Sequence, residues 1–217
     1  MLDYQSDFFR FSIDNDVLKF GSFTLKSGRT SPYFFNAGLF NSGHALNRLS
    51  EFYARTLNQH VPGPCMLFGP AYKGIPLVTG VAMAMDSLFQ RDIPMAYNRK
   101  EAKDHGEGGV LVGAPLEGDV IIVDDVITAG TSVGESVEII RAAGANPAGV
   151  LIALDREEVV AGSKGRSAVQ VVKAKYGMPV YSVAKLTTLI EYLGSLSGKD
   201  DLLRQMQGYR EQYGARA

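Results

Sequence analysis

The segment VIIVDDVITAGTS, Val120 to Ser132, runs from four apolar residues into two adjacent carboxylates and then into a loop of hydroxyls and backbone N–H groups. A strand that ends in Asp124 and Asp125 presents acceptors for the hydroxyls of a sugar. The loop behind it presents donors to an anion. Thr128, Thr131 and Ser132 carry hydroxyls, and Gly130 lets backbone N–H groups approach closely. Ser132 followed by Glu135 matches a capping box, so a helix is expected to open at about Val133. Its N-terminus adds a site for phosphate. Acids for sugar hydroxyls beside a donor cup for phosphate describe a receptor for a ribose 5-phosphate. Two other phosphate motifs are excluded: there is no G-x-x-x-x-G-K-[ST], and no G-x-G-x-x-G opens a helix after a strand.

Three further clusters carry charge or aromatic groups. In FGPAYKGIPL, Phe68 to Leu77, a strand ends, Gly69-Pro70 turns the chain, and Tyr72-Lys73-Gly74 precedes a helix. Lys73 and the backbone there suit a pyrophosphate. In YNRKEAKDHGEGG, Arg99, Lys100, Lys103 and His105 are followed by Gly106, Gly108 and Gly109. Glu101, Asp104 and Glu107 offset these bases, as in an exposed charged hairpin. A flexible cationic loop is also what a lid over a polyphosphate needs, since it closes and excludes water. The third cluster pairs LKSGRTSPYFFNAG with LDREE at 154–158. Lys26 flanks a tight turn. Phe34 and Phe35, adjacent in an extended segment, point opposite ways. Arg156 follows the strand GVLIALD at the same sheet edge as Asp124, where a guanidinium suits a carboxylate.

The elements that must hold these groups alternate. Asp3 to Leu18 reads as a helix, and GSFTLKSGRTSPYFFNAG as a hairpin turned at Ser27-Gly28. Residues 43–58 read as a helix with Leu46, Leu49 and Phe52 or Tyr53 facing a core. Then CMLFG, PMAYNRK, VIIVDD and GVLIALD read as strands, VLVGAPL as a short edge strand, and IPLVTGVAMAM and SVGESVEIIRAAG as helices. The C-terminal GKDDLLRQMQGYREQYGARA reads as a helix with a polar face. This order implies an α/β fold with a mostly parallel central sheet flanked by helices. In such sheets ligands bind at the carboxyl ends of strands.

Composition narrows the class. The chain has 217 residues, 46% hydrophobic and 21% charged, with formal net charge −1. No global field draws it to nucleic acid or membrane. The lone Cys65 forms no internal disulfide, and the N-terminus has no signal-like apolar core. No apolar stretch reaches the ~18 residues of a membrane span. A cytoplasmic protein, with no nucleic-acid or membrane partner, is expected.

VIIVDDVITAGTS resembles the 5-phosphoribosyl 1-pyrophosphate (PRPP) signature of the type I phosphoribosyltransferases. The order Arg-Lys-x-x-Lys-x-His-Gly resembles the mobile catalytic loop of the orotate phosphoribosyltransferase branch, here about 99–109. The resemblance spans the full chain and implies one phosphoribosyltransferase domain, 1–217, with a small hood from about 1–40 and no fused decarboxylase. It implies PRPP contacts by Lys26, Tyr72, Lys73, Arg99, Lys100, Lys103, His105, Asp124, Asp125, Val126, Ile127, Thr128, Ala129, Gly130, Thr131 and Ser132. Orotate contacts are implied for Lys26, Phe34, Phe35, Thr128 and Arg156. Catalytic roles fall on Lys103, His105, Asp124, Asp125 and Lys26. A cis peptide at Ala71-Tyr72, Mg²⁺ bound through PRPP and not directly by protein, and a homodimer sharing the lid are also implied. The activity so implied is transfer of ribose 5-phosphate from PRPP to orotate, in the synthesis of UMP. A purine phosphoribosyltransferase fits the Lys26/Phe34-Phe35 segment and the lid less well. A PRPP-sensing regulator that grips nucleic acid would show a basic face or an added DNA-binding module, against which stands a net charge of −1 with no such segment evident, and a dimer without catalysis would have lost acids or lid bases.

Overall fold

The computed structural model describes residues 1–25, 28–103, 109–128 and 130–216, without the side chains of residues 102, 103 and 109. Six strands form the main sheet: β3 (Met66–Gly69), β4 (Met95–Lys103), β5 (Gly109–Gly113), β6 (Asp119–Val123), β7 (Asn146–Asp155) and β8 (Val180–Lys185). Their order is β5-β4-β3-β6-β7-β8, and only the edge pair β4–β5 is antiparallel. A separate antiparallel hairpin is formed by β1 (Leu18–Thr24) and β2 (Thr30–Phe35).

Strand residues divide between two cores because successive side chains leave opposite faces of a sheet. Leu67, Ile121, Val123, Leu151 and Ala153 pack with α1 (Asp3–Asp14), α2 (Gly43–His60), α3 (Gly74–Phe89), α6 (Leu186–Gly194) and α7 (Asp200–Tyr213). Met66, Phe68, Val120, Ile122, Val150 and Ile152 pack with α4 (Thr131–Ala142) and α5 (Ala168–Tyr176). Burying a side chain such as Phe68 contributes about 1.5–3 kcal/mol. Coverage on both faces explains why these strands are apolar without alternation.

The chain leaves β3 through α3 toward β4, and leaves β6 through α4 toward β7, on the other side. The strand order therefore reverses between β3 and β6, and the crevice at their carboxyl ends is where such sheets take ligands. The hairpin and α1 are fastened to this body by aromatic packing: Phe8 meets Phe52 edge-on at 5.5 Å and Phe35 at 6.3 Å.

The first helix is shorter than expected. It stops at Asp14 because the Asn15 side chain and N–H both donate to the Phe11 carbonyl, and Asp16 turns the chain at φ +60°. Leu18 then begins β1.

Candidate active site

Asp124 and Asp125 follow directly on Val123, where β6 ends, at the reversal point, and both are buried. Their backbone remains in register with the sheet. Asp124 N donates to Leu151 O at 3.1 Å, and Ala153 N donates to Asp125 O at 2.9 Å. From α2, the Tyr53 hydroxyl donates to Asp124 O at 2.9 Å. Each carboxylate oxygen has a protein donor. Asp124 Oδ1 accepts from Asp125 N (2.9 Å) and Oδ2 from Ser132 Oγ (2.8 Å). Asp125 Oδ1 accepts from Val126 N (2.8 Å) and Oδ2 from Lys73 Nζ (2.7 Å). Burial pushes the Asp124 carboxyl above its ordinary range, while Ser132, the Asp125 N–H and Lys73 pull the other way.

The Lys73–Asp125 contact spans the crevice from the loop after β3 to the loop after β6. Lys73 is 65% exposed in its side chain, so the pair is worth only about 0–1 kcal/mol despite its short distance. Lys73 is therefore held to Asp125 only weakly.

The expected capping box is not formed. The helix α4 opens at Thr131, after Gly130 in the left-handed region at φ +73°, and no side chain caps it. Ser132 does not cap because its hydroxyl is spent on Asp124. The first-turn N–H groups are thereby left for an anion, which strengthens the reading of this loop as a phosphate cup. Thr128 and Thr131 are exposed beside it, whereas Ile127 is buried in the core under α4 and α5 and Val126 packs against the core on the opposite face. The last two can offer a ligand little beyond backbone.

In the loop after β3, the Ala71–Tyr72 peptide is cis, as the resemblance implied. The Ala71 N–H donates to Asn98 Oδ1 on β4 at 2.9 Å. Only glycine fits at the base of this turn: a Cβ on Gly69 would lie 2.3 Å from Gly74 O. Tyr72 is exposed, with Lys100 Nζ 5.2 Å from its ring centre. Arg99 lies on the same strand, half-buried.

On the neighbouring strand, Arg156 follows the end of β7. Its Nε donates to Glu158 Oε1 at 3.0 Å and to Tyr33 Oη at 3.2 Å, and its Nη2 donates to Glu158 Oε1 at 2.8 Å. Burial opposes its charge, but Tyr33 and Glu158 outweigh that and hold the guanidinium firmly protonated. Phe34 and Phe35 do point opposite ways. Phe34 is exposed and stacks on Phe23 at 5.6 Å, whereas Phe35 packs toward Phe8. Lys26, Ala129 and His105 lie outside the described residues, as does the Lys103 side chain.

The structure thus brings Lys73, Asp124, Asp125, Gly130, Thr131 and Ser132 to one crevice, with Arg156 on the adjacent strand end. Four supporting residues were not singled out for the site from sequence: Tyr33, Tyr53, Asn98 and Glu158. Asn98 carried a faint signal, as a strand-disfavoured residue within PMAYNRK. Among the described residues no cluster of three or more His, Cys, Asp or Glu is disposed to hold a metal ion.

Known proteins resemble this chain over nearly its whole length. Residues 40–165 match the model of the phosphoribosyl transferase domain family. The chain is 59% identical over 214 residues to an orotate phosphoribosyltransferase of Methylococcus capsulatus, covering 99% of both. Its counterpart in Pseudomonas aeruginosa is 56% identical, over 99% of this chain and all of that one. A crystal structure of orotate phosphoribosyltransferase from Francisella tularensis matches with a TM-score of 0.87 at 40% identity, covering 96% of this chain and 99% of that one. A strand-end pair of acids feeding an uncapped helix is thus set in a chain akin to these enzymes from end to end, and the chain belongs to the orotate phosphoribosyltransferase family.

Proposed function

We infer that the chain is an orotate phosphoribosyltransferase of pyrimidine biosynthesis that moves the 5-phosphoribosyl group from PRPP to N1 of orotate, releasing pyrophosphate. The observation that carries the assignment of roles is the crevice between β3 and β6. There the buried Asp124-Asp125 pair continues into the uncapped N-terminus of α4, with Lys73 opposite. The uncapped N–H groups, that of Ser132 included, and the hydroxyls of Thr128 and Thr131 take the 5-phosphate, while the Ser132 hydroxyl holds Asp124. Asp124 and Asp125 accept from the ribose hydroxyls. Both acids are already held by protein donors, so they need little reorganisation when the substrate arrives.

As the bond from the anomeric carbon to pyrophosphate breaks, positive charge grows on that carbon and negative charge on the leaving oxygens. The adjacent carboxylates damp the first. Lys73, Lys100, Lys103, His105 and Arg99 answer the second, and Lys26 takes part in both substrate contacts. Positioning and charge do the work, with no covalent enzyme intermediate required. Arg156 takes the orotate carboxylate, with Phe34, Phe35 and Thr128 beside the ring. Asp125 O is bonded to Ala153 N, and Arg156 lies three residues further along β7, about 10 Å at strand spacing, a fit for ribose and base side by side.

Mg²⁺ is read as arriving on PRPP. Its preference for water and phosphate oxygens suits a strand end whose carboxylate oxygens each have one protein donor already and a lone pair to spare. When bound it would neutralise pyrophosphate charge. The whole chain is read as one domain, residues 1–40 serving as a hood, and as a homodimer in which each lid of about 99–109 completes the partner's site. Among the described residues no helix is long and apolar enough to cross a membrane.

The deciding experiment mixes the protein with PRPP, Mg²⁺ and a base. Orotate should be consumed with release of pyrophosphate, and hypoxanthine, guanine and uracil should not. Consumption of a purine in preference to orotate overturns the reading.

A further inference from the structure

Arg156 is aimed by a support built from three separate elements. Glu158 Oε1 accepts three hydrogen bonds: from Arg156 Nε at 3.0 Å, from Arg156 Nη2 at 2.8 Å and from the Tyr33 hydroxyl at 2.8 Å. Tyr33, on β2, is fully buried, and its ring lies 5.3 Å from the guanidinium carbon. Behind it, Tyr209 of α7 meets the Tyr33 ring edge-on at 6.0 Å. The backbone around Glu158 is clamped by the segment leaving α7. Val159 N donates to Tyr213 O (2.9 Å), Ala215 N donates to Glu157 O (2.8 Å), and Glu158 forms a bridge with Gly214. Arg29 completes the clamp from the hairpin, donating to Val159 O at 2.9 Å and lying 5.1 Å from the Tyr213 ring centre.

A guanidinium offers five N–H donors in a rigid plane. Glu158 and Tyr33 occupy the edge formed by Nε and one hydrogen of Nη2. Among the described residues nothing accepts from Nη1. The open edge, Nη1 with the other hydrogen of Nη2, is the fork that grips a carboxylate through two parallel bonds. Without the internal acid, the guanidinium would be free to rotate and to spend that fork elsewhere.

We propose that Glu158 is the positioning residue of Arg156, turning its free fork toward the carboxylate of the base, with Tyr33 and the C-terminal helix fixing Glu158 in place. This rests on the orotate reading above. It gives α7, which carries none of the proposed substrate-binding residues, a part in base selection. Glu158 itself touches no substrate and acts only through Arg156.

The test is a double-mutant cycle on the full chain, following kcat and both KM values for Glu158→Ala, Arg156→Ala and the double variant. Glu158→Ala should raise the orotate KM by about tenfold or more, the loss expected when a charge-assisted pair is broken, with the PRPP KM and kcat within about twofold. In the Arg156→Ala background, adding Glu158→Ala should change kcat/KM for orotate by less than about twofold, because its target is gone. Glu158→Gln, which keeps the shape, should show a smaller rise and covers the case in which the alanine variant fails to fold. An orotate KM that stays flat or falls overturns the proposal. So does a parallel rise in the PRPP KM, or the same penalty persisting without Arg156, either of which would mark a merely structural role. Should the wild-type protein ignore orotate altogether, it is the parent reading that fails, and the control lane shows it.

Discussion

The proposed ribose end of the site is one continuous run, Asp124 to Ser132, whose closest contacts are largely with itself, while the proposed base end joins Tyr33 to Arg156 and Glu158 across 123 and 125 positions of sequence. At the first, a strand end and a helix start create the chemistry by backbone geometry. The acids lie where β6 stops, and the N–H groups lie where α4 begins. At the second, a hairpin strand, a sheet strand and a terminal helix must dock before Arg156 has a direction. On that reading phosphate and sugar recognition is local, because one strand-to-helix turn carries both the acids and the free N–H groups. Base recognition depends on the completed fold.

The largest expected effect lies outside both regions, on the lid. Lys103→Ala should lower kcat by about 10²–10³-fold, the range for removing one electrostatic stabiliser at a transition state, with the melting temperature little changed. Steady-state rates and a thermal melt check both halves. Mixed with Asp125→Asn subunits, the same variant should regain activity at one site per heterodimer if lids act across the interface. Recovery absent from verified heterodimers would place each lid in its own subunit's site.

Next in size, Ser132→Ala should break the ribose end from within. The bond to Asp124 Oδ2 at 2.8 Å is charge-assisted, and losing one of this kind costs about 1.5–3 kcal/mol, so the PRPP KM should rise by roughly tenfold or more while the orotate KM holds. Equal rises in both would mean that the two ends are less separable than their construction implies.

Asp124→Asn probes the same end through stability. Burial raises the folded-state pKa of Asp124 above its unfolded value, so the folded state binds the proton more tightly. That contribution to stability is fully present below the ordinary value of 3.8 and is lost as pH rises through the raised folded pKa. The asparagine variant cannot ionise and escapes the loss. Its melting temperature without ligand should gain on wild type as pH climbs from below 3.8 toward neutrality, even as activity falls. A difference constant with pH would remove ionisation as the cause.

The smallest effect is expected at the base end. The Tyr209 hydroxyl makes no hydrogen bond of full geometry among the described residues, although Ser31 and Glu158 lie near enough to influence it, while its ring supports Tyr33. Tyr209→Phe keeps the ring and removes only that hydroxyl, so stability should shift by no more than about 1 kcal/mol in a thermal melt and both KM values should stay put. A raised orotate KM would show that the hydroxyl, and not only the ring, steadies Glu158.

Much of this was legible before any coordinates. The apolar runs of β3, β6 and β7 announced strands buried on both faces, and the order of strands and helices announced a parallel sheet, because both follow from local pattern. Asp124, Asp125, Gly130 and Lys73 were legible for the same reason, since strand ends and helix starts carry their own signals. Ser132 was identified as part of the loop but given the wrong partner. The capping pattern is a local rule, and Asp124, brought close by the turn, competes more strongly for the hydroxyl.

Glu158, Tyr33, Tyr53 and Asn98 had no comparable signal. In sequence each is an ordinary acid, amide or aromatic, and its role exists only through a partner on another element. The sequence by itself determined the acids and donors of the proposed ribose and phosphate site, because one turn of backbone suffices to assemble them. Only the tertiary structure decided which way Arg156 faces and that the C-terminal helix stands behind it. Those contacts join Arg29 and Tyr33 to residues 156–159 and 209–215, and no local preference can encode a meeting of segments so far apart.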